Sequence, residues 1–342
     1  MSRVPSETGG ATLRDRVAVE RLPAVFACYE QEPEQMSAGA PGKVGLLELQ
    51  FEAGGERTRL LPSYASGPNR VQRALHLDSA LPGMAYAIIQ SVSGGVLQGD
   101  RLGLSITVSD GANAHLTTQS ATKLYRMERN YATQSVRIIV EPGGYLEYLP
   151  DYLIPYRGAR FYQETQLVVA EDATLVYAEA LAPGRAAAGE EFDYELLFFR
   201  TQAADLGGRR RFTDTMVLSP GHWHPRRLLG GHSNMATMYV LTHQVGTKAL
   251  ADRLHAVVQE ACDVFGSASA LPGNDGVVLR ALADDCGSIQ AVVHNAWSAV
   301  RAELLGSGVP NIAAVKYGTQ PKSRPGDRNL KRGRYEQPAS LL

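Results

Sequence analysis

The sequence predicts a mainly β fold with about two α-helices near the C-terminal end. Three observations carry this expectation. Short runs of alternating or β-branched residues, each bounded by Gly, Pro, Asp or Asn, recur from Val44 to Thr242. Helical periodicity appears only after residue 247. A strand–turn–strand pattern also repeats in the middle of the chain.

The first strand is Val44 to Phe51, which runs to a Gly54-Gly55 turn and then Arg57 to Pro62. Further strands are expected at Met84–Ile89, Leu102–Val108, His115–Thr118, Val136–Val140, Leu146–Leu149, Gln166–Val169, Thr174–Tyr177, Tyr194–Phe199, Phe212–Leu218 and Met235–Thr242. The repeat is Val108-Ser-Asp-Gly-Ala-Asn-Ala114, then Val140-Glu-Pro-Gly-Gly-Tyr-Leu146, then Val169-Ala-Glu-Asp-Ala-Thr-Leu175, with starts 32 and 29 residues apart. That spacing suits stacked supersecondary units, and three ordinary hairpins fit it equally well. Leu250, Leu254, Val257, Val258 and Ala261 make one helical stripe, over about 247–263. Ile289, Val292, Val293, Ala296, Trp297, Val300 and Leu304 make a second, over about 287–305, with Gly306 placed to end it.

Both ends read differently from this core. Residues 1–42 mix Pro, Gly, Ser and charge around one apolar island, Leu22 to Tyr29, and suggest a flexible arm able to dock one short element. Residues 319–342 lack periodicity and hold Lys322, Arg324, Arg328, Lys331, Arg332 and Arg334, which suggests a disordered basic tail. Residues 43–318 between them are long enough and apolar enough for a single β-rich domain. A net charge of −1 gives no field that favours nucleic acid or an acidic membrane. Cys28, Cys262 and Cys286 are odd in number and widely spaced, so a disulfide framework is not expected and a reducing cytoplasm is. The N-terminus lacks a signal-peptide pattern, and no apolar run reaches the ~18 residues of a membrane span.

The chemistry-bearing residues cluster between Gly94 and Arg185. The run Gly94-Gly-Val-Leu-Gln-Gly99-Asp100 is rich in glycine, but a phosphate loop ends in Lys-[Ser/Thr], and here Asp100 and Arg101 follow. Bound nucleotide is therefore not expected. Asp100 and Glu179 each follow an apolar strand, where a carboxylate needs a role or a partner. They could line a polar passage and transiently hold a cation, or cap a turn, or pair with Arg185 or Lys123. His222-Trp223-His224, with His232 beyond, is the most metal-like local pattern, but the surrounding Pro and Gly residues suggest an exposed loop. Gly-x-Ser-x-Gly, His-Glu-x-x-His and Cys-x-x-Cys do not occur.

Four segments in order are more specific than any of them alone. They are Gly94–Asp100, Thr117-Thr-Gln-Ser-Ala-Thr-Lys-Leu-Tyr-Arg126, Leu146-Glu-Tyr-Leu-Pro-Asp151 and Ala178-Glu-Ala-Leu-Ala-Pro-Gly-Arg185. Together with the Trp-bearing helix, they resemble the urease accessory protein D family (UreD, also called UreH) from about Gly42 to about Pro310. The chain departs from the family pattern at Gln98, at Tyr177-Ala178 and in Pro310–Ala314.

The resemblance implies an elongated, superhelical or solenoid-like β architecture with two helices. It implies a non-enzymatic maturation factor that bridges apo-urease and urease accessory protein F, which recruits the GTPase urease accessory protein G. Nickel would pass transiently, and GTP would be bound by the partner. Positions matching Asp100, Thr122, Glu179 and Arg185 would lie on or near a water-filled nickel route, with Lys123 beside Thr122. Tyr148, Tyr152, Tyr156 and Arg157 suit a partner face by residue type. Two other classes stay open. One is a β-solenoid carbohydrate-active enzyme using Glu147 with Asp151, or Asp100 with Glu179, across a cleft. The other is a structural scaffold without a metal role.

Overall fold

The computed structural model describes residues 11–30, 42–221 and 224–312. Eighteen strands lie among them: β1 (Val44–Gly54), β2 (Arg57–Leu60), β3 (Tyr64–Ser66), β4 (Asn69–Val71), β5 (Ala85–Ser91), β6 (Arg101–Val108), β7 (Asn113–Thr118), β8 (Thr122–Leu124), β9 (Ala132–Val140), β10 (Tyr145–Tyr148), β11 (Leu153–Pro155), β12 (Arg160–Val169), β13 (Thr174–Leu181), β14 (Leu196–Ala204), β15 (Arg210–Leu218), β16 (Asn234–Leu241), β17 (Val264–Ala270) and β18 (Val277–Ala283). The α-helices are α1 (Leu13–Arg16), α2 (Pro225–Leu228), α3 (Thr247–Glu260) and α4 (Cys286–Leu305). The chain is mainly β and solenoid-like, with its longer helices near the C-terminal end.

Two sheets face each other. The first runs β15-β14-β12-β9-β6-β1-β2, and the second runs β17-β18-β16-β13-β10-β7-β5-β4. The middle of each is parallel. β1, β6, β9, β12 and β14 form one parallel set, and β5, β7, β10 and β13 form the other. Each repeat unit leaves a strand of the first sheet, turns, and enters the second. The repeat is therefore stacking, not hairpins. Val108 pairs with Val140 and Val140 with Val169. Ala114 pairs with Leu146 and Leu146 with Leu175. Parallel strands need such a crossover, because a two-residue turn only joins antiparallel neighbours.

The core fills the space between the sheets. Leu47, Ile106 and Ile138 of the first sheet meet Leu116, Leu146 and Leu175 of the second, all fully buried. The outer face of the second sheet is covered too. Thr247 to Val258 of α3 and Ile289 to Val300 of α4 lay their apolar stripes on the second sheet's side. α4 starts at Asp285, whose carboxylate accepts the Ser288 N–H at 2.9 Å, and ends at left-handed Gly306.

The N-terminal segment departs from the expected arm. Residues 11–30 carry α1 and a 3₁₀ turn, Ala24–Tyr29, so two elements dock instead of one. Val17 and Phe26 are fully buried. Phe26 packs on Tyr131 and Tyr162, and the Glu20 N–H donates to Glu164 at 2.6 Å. Gly103 makes room for this: a Cβ there would sit 2.9 Å from Val17. The basic tail, 319–342, lies outside the described residues.

Candidate functional site

A cavity of about 250 Å³ lies between the sheets. Its lining follows the sheet register from one unit to the next. On the first sheet the row is Leu102, Gln134, Gln163, Phe199 and Met216, each paired with the next across β6, β9, β12, β14 and β15. On the second sheet Ile89 pairs with Thr118, Tyr148 with Tyr177, and Glu179 with Thr237. The cavity thus runs across the strands, along the stacking direction of the units. Ser93, Gly94, Gly95, Ser120, Thr122, Lys123 and Asp151 line it where the loops gather. Gly95 has no room for a side chain, since a Cβ would fall 2.5 Å from the Lys123 carbonyl. That contact explains the glycine-rich run without any phosphate.

Glu179 is the charged group at the centre of this lining. Its Oε1 accepts from Gln163 Nε2 at 2.5 Å and from the Tyr177 hydroxyl. Burial pushes its carboxyl up from 4.5 to about 7, the Asp214 charge adds to that, and the Tyr177 and Gln163 hydrogen bonds work against it. Tyr177 stands in a stack of rings, Tyr148–Tyr177–Tyr239–Phe212, with interplanar angles of 14° to 17°. Asp214 closes the same end of the sandwich, accepting from the Tyr239 hydroxyl and pairing with Arg280.

The remaining predicted positions divide. Thr122 lies on the cavity wall, and its N–H donates to the Tyr152 carbonyl at 2.8 Å. Lys123 has an exposed side chain at the loop end of the cavity. Asp100 is a turn cap. It is 1% exposed, and its oxygens accept the Lys43 N–H at 2.8 Å and the Leu97 N–H at 2.9 Å, with Lys43 Nζ at 3.5 Å. One oxygen caps its own loop and the other ties that loop to the residue before β1, so both are committed and Asp100 is not part of the lining. Arg185 does not meet Glu179. It pairs with Glu190 and stacks over Tyr156 at 4.5 Å. The Pro183-Gly184 turn carries it outward, away from the strand that holds Glu179.

The tyrosines expected on a partner face are mostly internal. Tyr148 and Tyr152 are each 5% exposed, one in the ring stack and the other donating to the Cys286 carbonyl at 2.9 Å. Only Tyr156 and Arg157 reach the surface, where Arg157 pairs with Asp193 at 2.9 Å. His222 lies outside the described residues, and His224 packs its ring on Phe192. No group of three His, Cys, Asp or Glu side chains with metal-site geometry occurs among the described residues.

Glu147 belongs to a second polar cluster, on the opposite face of β10 and beneath α4. It is fully buried and accepts from Tyr145 at 2.9 Å, with His115 at 2.8 Å and Arg301 Nε at 3.5 Å. Arg301, also fully buried, reaches Asp78 at 2.6 Å. Water has no path to Glu147, so it cannot act with Asp151 across an open cleft as a glycosidase pair must. With Asp100 committed to its turn, the other proposed pair fails as well. The sequence pattern does not single out Gln134, Gln163 or Asp214, and it marks Tyr177 only as a departure from the family. The repeat offsets pointed to two of them, since 102, 134 and 163 share the spacing of 108, 140 and 169.

The UreD urease accessory protein family model matches residues 43–314. A urease accessory protein UreD of Haloarcula marismortui is 40% identical over 291 residues, covering 84% of this chain and 96% of that protein. UreD of Cenarchaeum symbiosum is 36% identical over 280 residues, covering 81% and 98%. UreD 2 of Streptomyces griseus is 37% identical over 292 residues, covering 84% and 99%. With a stacked parallel β fold, an internal cavity along it and a family match across nearly all of the described core, the chain belongs to the UreD urease accessory protein family.

Proposed function

We propose that this chain serves urease maturation as a scaffold and a nickel conduit. In this reading it stands between urease accessory proteins F and G and apo-urease, in the cytoplasm, and the GTP is bound by accessory protein G. The observation that supports it is the cavity lined in register, with Glu179 at its centre.

The lining suits a divalent cation in transit. Neutral oxygens from Thr118, Thr122, Gln134, Gln163 and Thr237 can replace part of a hydration shell without trapping the ion. Glu179, with its carboxyl near 7, is poised between its two forms at neutral pH. An arriving Ni²⁺ displaces the proton and takes the carboxylate as an oxygen ligand. When the ion leaves, the proton returns. Charge inside the sandwich therefore changes by one unit less than the ion alone would bring.

Two variants test this in a reconstituted activation with labelled nickel. Glu179→Gln removes the exchangeable charge, and Gln134→Trp fills the bore. Both should slow nickel arrival at urease severalfold while co-elution with accessory protein F and apo-urease stays normal. Unchanged nickel delivery by folded Gln134→Trp would remove the conduit and leave a scaffold alone.

A further inference from the structure

The two sheets end unevenly. The first stops at β15, whereas the second continues past β16 to β18 and β17. β15 lies opposite β16 and β18: Phe212 stacks on Tyr239 at 5.1 Å, and Asp214 reaches both Tyr239 and Arg280. β17 therefore overhangs the last strand of the first sheet by about one strand spacing, ~4.8 Å. Its far side carries α3. Its near side carries Phe265, 65% exposed with its ring stacked on His232 at 6.0 Å, and Ser267 and Ser269, both exposed, with Ser267 Oγ 3.3 Å from His255 Nδ1 of α3. β15 pairs only with β14 among the described residues, so its other edge is open. The start of that edge is tied down by Arg209 on Asp275 at 3.2 Å. Thr213, Thr215 and Val217 beyond it are exposed.

We propose that this step in the fold is the docking site for one extended strand of another protein, added to the free edge of β15 beneath β17. An unpaired edge offers a row of backbone donors and acceptors that only an extended backbone can satisfy. A second copy does not fit. Antiparallel two-fold pairing of β15 with itself places both overhanging β17 strands on the same side of the joined sheet, in the same space.

Register states what the inward side chains of the strand must be. Phe265 pairs with Leu282, Ser267 with Arg280, and Ser269 with Val278. Arg280 is 56% exposed with its Nη2 end on Asp214, which leaves donors for an incoming acid. The occupant therefore alternates apolar, acidic and small residues at every second position. Docked there, it covers the Met216–Thr237 end of the cavity. The inference does not depend on what the cavity carries.

A fluorescently labelled peptide, Thr-Leu-Thr-Glu-Thr-Ala-Thr, is the probe, read by anisotropy against the full chain. Saturable binding is expected, with slowed amide exchange confined to Thr213–Val217. Phe265→Lys and Arg280→Glu should each weaken it by about tenfold. A peptide with Lys in place of its Glu should recover binding to Arg280→Glu. Phe265 is exposed, so its variant reports on docking even if Arg280→Glu fails to fold. Absence of binding at millimolar peptide, binding that Phe265→Lys leaves unchanged, or protection elsewhere, such as on β17, would overturn the proposal.

Discussion

Replacing Glu179 by Gln should stabilise the protein at pH 8 and leave it unchanged at pH 4. The side chain keeps its shape, and the amide oxygen can still accept from Tyr177 and Gln163. What is lost is the ability to ionise. In the fold, burial raises this carboxyl from 4.5 to about 7. A raised folded value means that the fold favours the protonated form. Its contribution is full below about 4.5 and is lost as pH climbs through about 7. That interval is worth about 3 kcal/mol, and cavity water would bring it nearer to about 2. Urea denaturation of both proteins in steps from pH 4 to 8 gives the difference in stability directly. It should grow in favour of the variant across the interval and level off above it. A difference that stays flat to within ~0.5 kcal/mol would refute both the desolvation of Glu179 and its role as an exchangeable charge.

Three other outcomes follow from the same contacts. Asp100→Ala leaves the Lys43 and Leu97 N–H groups without their acceptor and should cost about 3 kcal/mol in denaturation; an unchanged midpoint would mean that the cap is unimportant. Glu179→Gln and Arg185→Met touch separate partners, so their stability effects should add to within ~0.5 kcal/mol in a double-mutant cycle, and strong coupling would contradict the geometry. Arg301→Met strands Glu147 and Asp78 in the core and should cost about 3–5 kcal/mol, with α4 the first segment to lose amide protection in exchange experiments.

The class of fold was legible because apolar alternation marks strands wherever one face is buried. Its limits were set by polar residues. Gln166–Val169 was expected where β12 runs from Arg160, and Val136–Val140 where β9 begins at Ala132. Both strands were cut short at Gln134, Gln163 and Glu164, which break the apolar pattern. Thr174–Tyr177 likewise stopped before Glu179, although β13 continues to Leu181. The expected strands end at Thr242 and include neither β17 nor β18. β17 carries Gly, Ser and Ala on a mostly exposed strand, and its one large side chain, Phe265, faces solvent. The stripe carries α3 three residues too far because Ala261 fits it, yet the Ala261 backbone is already extended toward β17.

The polar residues that hid the strand ends are the same ones that build the candidate site. A residue-by-residue reading treats Gln134 and Gln163 as termination signals, since a strand with a polar inner face looks like a loop. The repeat removes that ambiguity. Its offsets carry Leu116 to Tyr148 to Tyr177 and Thr118 to Pro150 to Glu179, so the carboxylate takes the place that a threonine and a proline hold in earlier units. Stacked units bring equivalent positions into one line, and a polar residue placed once per unit on the inner face becomes a polar bore. Asp100 and Arg185 fall outside that line because each side chain sits off the strand rows, Asp100 just before β6 and Arg185 past the end of β13. A carboxylate in a strand row, and not merely at a strand end, is what separates a lining group from a cap in this fold.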